Sequence, residues 1–145
     1  MTVSTTTNRI SYDCNGSQKQ FSFDFKIFAK EDLTVILRDS GGNETILVLN
    51  IDYTVNASPW PTGGTITTIK TYASGNTLVI LRVIEATQKI DYHEGDTFPA
   101  ETHEEGLDRG VMLIQQLMEL LGRQAVFYTE GICSERGKEC WKKGI

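Results

Sequence analysis

The sequence predicts a mainly β protein, a β-sandwich-like module followed by a C-terminal α-helix that forms a trimeric coiled-coil-like stalk. Three observations predict it. Before Gln88 the chain reads as short β-prone segments separated by turn residues at fairly even intervals. Within them, Gln20-Phe21-Ser22-Phe23-Asp24-Phe25 alternates aromatic and polar residues with the strand period, which places three Phe rings on one sheet face. Beyond Glu101 the period changes, and Leu107, Val111, Ile114, Met118 and Leu121 recur at alternating steps of four and three. That alternation keeps an apolar edge facing a partner helix, whereas a helix covering a single domain shows a broader face.

The Thr-rich opening is β-prone, and the segment around Phe21 to Phe25 anchors the core. Leu33-Thr34-Val35-Ile36-Leu37-Arg38 follows as a more fully apolar strand. Asp39-Ser40-Gly41-Gly42-Asn43 supplies positive-φ positions for a hairpin into Thr45-Ile46-Leu47-Val48-Leu49. After Tyr53-Thr54-Val55 comes Ser58-Pro59-Trp60-Pro61, whose prolines have no N–H to give a ladder, so this stretch is a surface loop. Thr65-Ile66-Thr67-Thr68-Ile69 resumes the strand pattern. Gly75-Asn76 then turns the chain into Thr77-Leu78-Val79-Ile80-Leu81-Arg82, an apolar run that marks a central strand covered on both faces. The module spans residues 1–84.

Residues 85–98 lose the apolar pattern and, with Gly95 and several acids, read as an ordered linker. The oligomerisation helix spans 99–123. It starts either at Pro99, as a first-turn proline, or at Thr102, where Thr102-His103-Glu104-Glu105 fits a capping box. Gly106 and Gly110 each cost about 1 kcal/mol relative to Ala inside a helix, which predicts close packing there against the module or another chain. Leu113, Leu117 and Leu120 add a second stripe, more apolar surface than a two-stranded coil needs. A trimer, or a helix also packed on its own domain, accounts for it. The competing reading of the seam is that it lies on the β module of its own chain. Residues 124–145 form a tail without periodicity, in which Phe127, Tyr128 and Trp141 join Trp60 as candidate partner contacts.

At 145 residues the chain has room for one domain with a sizeable core, plus a helix and a tail. A net charge of −5, with no dense Lys/Arg cluster in the first 100 residues, argues against partners made of nucleic acid or anionic membrane. No apolar run is long enough to cross a bilayer, and Met1 to Thr7 lacks both a basic start and an apolar signal core. Cys14, Cys133 and Cys140 are odd in number and unhelpfully spaced, and read as reduced thiols rather than a disulfide framework or zinc site. In His103-Glu104-Glu105-Gly106-Leu107 a leucine stands where a zincin needs its second histidine. No nucleophile elbow, phosphate-cradling loop or dinucleotide fingerprint is present, and Glu31-Asp32 reads as a turn. The expectation is a protein that is not an enzyme and carries no metal or cofactor.

Read in order, the elements resemble the N-terminal virion-anchoring domain of tail fibre and tailspike proteins of short-tailed bacteriophages, from about Arg9 to Arg123. The likeness rests on Phe21 to Phe25, Leu33-Thr34-Val35, Asp52-Tyr53-Thr54-Val55, Gly63-Gly64-Thr65-Ile66 and the strand from Gly75 to Arg82. Its most specific part is Thr87-Gln88, then Phe98-Pro99-Ala100-Glu101 at the helix start, then Leu107-Asp108, Gln115-Gln116 and Arg123 along the helix.

The resemblance implies a β-sandwich-like anchor that trimerises, docks on tail tube or adaptor proteins, and leads through its helix into a fibre shaft or spike. Such fibres continue far beyond the helix into a receptor-binding region, whereas this sequence ends soon after it. The expected role is therefore an adaptor that attaches a receptor-binding fibre to the tail, with residues 124–145 meeting a separate fibre or spike subunit or capping a truncated fibre. It would assemble in the host cytoplasm and reside in the virion tail. The alternative is a soluble β-sandwich carbohydrate-binding module that stacks sugar rings on Trp60.

Overall fold

The computed structural model describes residues 3–56, 63–95 and 97–136, with the helix beyond Gly122 given by its backbone alone. Among the described residues, β1 (Arg9–Asp13), β7 (Thr77–Arg82), β3 (Leu33–Arg38) and β4 (Glu44–Leu47) form one antiparallel sheet in that order. The second antiparallel sheet is β2 (Gln20–Phe23), β6 (Gly64–Thr68) and β5 (Tyr53–Asn56). Strand β7 is central, as its apolar run predicts, pairing with β1 through Ile10↔Ile80 and with β3 through Val35↔Ile80. Leu78 and Ile80 face the shared core, while Val79 and Leu81 are buried on the opposite face of the same strand.

The alternation from Phe21 to Phe25 delivers all three rings to that core. Strand β2 stops at Phe23, yet Phe25 keeps the alternation, is fully buried and sits 5.3 Å from the Phe23 ring. Tyr53 ties the two sheets together by donating its hydroxyl to the Leu33 carbonyl at 3.0 Å. The Cys14 thiol lies in the same core, and its burial pushes its pKa up. Gly63 enters β6 at φ +100°, where a Cβ would stand 2.0 Å from the Phe23 carbonyl oxygen, so only glycine fits.

The hairpin after β3 is organised by Asp39, whose carboxylate accepts from the Asn43 side chain and from the backbone N–H groups of Asn43 and Gly41. The Asn43 side-chain bond contributes most to holding this carboxyl below the usual carboxylate range. Strand β4 is shorter than the predicted Thr45 to Leu49. The Asp52 carboxylate takes the Val48 N–H at 2.8 Å, and the Asp52 N–H turns back to the Val48 carbonyl. This side-chain turn displaces the ladder there. Glu31 and Asp32 do lie in a turn, a single 3-10 turn over Lys30–Asp32.

The helix α1 spans Ala100–Arg136. It begins at Ala100, two residues before Thr102 and one after Pro99, which stands just outside the first turn with its carbonyl accepting the His103 N–H at 3.2 Å. It also continues past the predicted end at Arg123, so the first part of the expected aperiodic tail is helical. Residues 124–130 contain neither Gly nor Pro, and a helix already nucleated propagates through such a stretch. Its 37 residues make a rod about 55 Å long.

Candidate functional site, the two faces of the helix

The helix meets the module where β7 ends, and the contact is largely polar. Arg82, the last residue of β7, is almost completely buried with its guanidinium 5.8 Å from the Phe25 ring. It donates to the Lys26 carbonyl at 2.9 Å and to Oε1 of Gln115 on the helix. Burial pulls the Arg82 pKa below its ordinary value, with the Asp32 charge acting in the opposite sense. Gln115 then donates to the Thr5 carbonyl at 2.8 Å, and Asn8 donates to the Gln115 carbonyl. An N-terminal strap is thereby held against the helix.

Gln116 treats Ile84 as a strand neighbour would, accepting its N–H at 2.8 Å and donating to its carbonyl at 3.4 Å. Asp108 accepts the Val3 N–H at 3.0 Å and stands 2.6 Å from the Lys26 ammonium, with both side chains mostly buried. Arg109 donates to the carbonyls of Thr87 and Glu85 and so fixes the start of the linker. Among these polar groups, Met112 supplies a fully buried apolar plug. Backbone-directed bonds of this kind specify one orientation, because a slipped helix would leave buried donors and acceptors unmatched.

The opposite face is apolar and uncovered. Leu107 is 61 % exposed, Val111 44 %, Ile114 59 %, Met118 67 % and Leu121 55 %. The seam residues therefore do not lie on the chain's own module, which corrects the competing intramolecular reading. Leu117 and Leu120 of the second stripe are exposed as well, whereas Leu113 is half-buried and lines a recess with Ala86, Thr87 and Gln88 of the linker start. Close packing holds at Gly106, where a Cβ would meet the Ile90 side chain at 2.8 Å, and not at Gly110, which has nothing within 4 Å. Phe127 and Tyr128 fall within the helical span, whereas Trp60 and Trp141 lie outside the described residues.

Sequence reasoning about the residues themselves missed the joint. Asp108, Gln115 and Gln116 enter the resemblance only as motif letters, and Lys26, Arg109 and Met112 stand outside it. A signal did exist: Asp108, Met112, Gln115 and Glu119 repeat the four-three spacing of the seam one residue later. The seam spacing itself also continues through Ala125, Tyr128 and Ile132, which foretells a longer helix.

Over 121 residues, 83 % of its length, the chain is 38 % identical to the tail spike protein of Salmonella phage epsilon15. It spans 11 % of the length of that tail spike protein, and no family model matches it. Among the described residues, no group of three or more His, Cys, Asp and Glu is placed to hold a metal ion. None of the chain's described helices is long and apolar enough to cross a membrane.

Proposed function

We propose that this chain is a structural component of a phage tail, residing in the virion, whose β module docks on the tail and whose helix joins three copies into the stalk of a receptor-binding fibre or spike. The similarity to a tail spike protein supports the setting. The observation that carries the assembly role is the outward face of α1, where Leu107, Val111, Ile114, Met118 and Leu121 stand exposed in one continuous strip. A monomer rarely leaves so large an apolar strip in water. Burying five such side chains supplies on the order of 10 kcal/mol per chain before ordering costs, ample for association. A three-stranded bundle suits a helix with a second apolar stripe beside the first.

The test is the solution mass of the purified chain, measured beside Ile114→Asp. A trimer that becomes a monomer in the variant, with the β-sheet circular dichroism unchanged, is the expected outcome. A wild-type mass equal to one chain at all concentrations would sink the assembly role. Tail docking is checked separately by supplying a tagged chain during infection and assaying purified virions, where its absence would sink the anchor.

A further inference from the structure

The apolar face of α1 does not stop at Leu107. Tyr92 and Phe98 of the linker stack on each other with ring centroids 5.1 Å apart and 25° between planes. Phe98 then packs against the His103 ring at 4.9 Å. These rings are not sunk in the β core: Phe98 is 63 % exposed and Tyr92 43 %. At 100° per residue, His103 lies within about 40° of Leu107 around the helix axis, so the stack continues the seam toward the helix start.

The acids of the first two helical turns, Glu101, Glu104 and Glu105, line a recess of about 260 Å³ with Lys26 and Phe28. The stacked rings do not line that recess, and their own carboxylate neighbours are Asp91 and Glu94 of the linker. A contact between identical copies brings like against like, which an aromatic surface tolerates and a carboxylate surface does not. Continuity with the exposed apolar strip of the helix favours a second copy of the chain as the occupant.

We propose that the contact between copies extends past the seam to the stack of Tyr92, Phe98 and His103, so that each copy's Phe98 packs on a neighbouring copy at the mouth of the helix bundle. This rests on the assembly role proposed above. The test is a trimer mixed from isotope-labelled and unlabelled chains, read for cross-chain nuclear Overhauser contacts. It is paired with the association constant of the double variant Tyr92→Ser/Phe98→Ser by sedimentation.

Cross-chain contacts from the Phe98 and Tyr92 rings as well as from Ile114 are expected. The double variant should weaken association at least about tenfold while the β module melts as before, and Phe98→Leu should restore most of the loss. Cross-chain contacts from Ile114 with none from the rings would overturn this proposal and leave the seam standing. A wild-type chain that never associates would overturn both. Unchanged association in the double variant would also overturn the stack.

Discussion

On α1, Asp108, Met112, Gln115 and Glu119 turn toward the β module, while Leu107, Val111, Ile114 and Met118, each one residue earlier, are exposed. The two ladders share a spacing and differ in chemistry, in the reverse sense of an ordinary surface helix, which hides its apolar stripe and wets its polar one. The inward side is tied down by Asp108 and Gln115, which bond the strap and the Lys26 and Arg82 side chains, and by their neighbours Arg109 and Gln116, which bond the linker start and Ile84, so it fixes direction. The outward ladder fixes nothing within the chain. Orientation within the chain is thereby carried by one side of the rod, and the association proposed above would use the other, so a substitution on one side should be felt differently from a substitution on the other.

The largest effect should come from breaking the inward side. Met112→Asp places a charge where no solvent reaches, and a loss of about 4 kcal/mol or more in urea unfolding is expected. If stability survives this change, the helix is not docked as described. Asp108→Ala takes away the carboxylate 2.6 Å from the mostly buried Lys26 ammonium. It should cost about 3 kcal/mol, whereas the paired change Lys26→Met/Asp108→Leu should cost much less. A double-mutant cycle separates the two. Gln116→Leu leaves the Ile84 N–H and carbonyl without their partner, for a loss of about 1–3 kcal/mol and faster hydrogen exchange at that N–H.

An alkaline scan acts on the core beneath the helix rather than on either face. Burial, and secondarily Glu31, raise the Tyr53 pKa, so the folded chain keeps its phenol proton to higher pH than the unfolded chain does. Stability from this group is complete below about pH 10 and falls as pH rises through the raised value. The melting temperature should drop there, and Tyr53→Phe should reduce the slope while losing the bond to Leu33. The smallest effect belongs to the outward side. Val111→Ser should change the stability of the dilute single chain by no more than about 0.5 kcal/mol, and a larger change would mean that this face is packed at home.

Local pattern carried much of the fold. Leu33–Arg38 and Thr77–Arg82 form strands with the predicted bounds, and the three Phe rings reach the core because a strand's period of two depends only on the backbone. Where side chains compete with the ladder, as at Asp52, the predicted strand ended early. The helix runs past Arg123 because residues 124–130 hold no breaker and a nucleated helix continues through such a stretch, a property that apolar pattern alone does not report.

The sequence by itself determined the strand alternation, the four-three spacing and the balance of apolar and polar side chains along α1. Only the tertiary structure decided which of two adjacent ladders faces home. Periodicity gives a residue's angle around a helix and says nothing of what stands on that side. That depends on partners far away in the chain: Arg82 reaches Lys26 across 56 residues and Gln115 across 33. An arginine closing an apolar strand became the centre of a joint because folding brought a carbonyl and an amide to it at once.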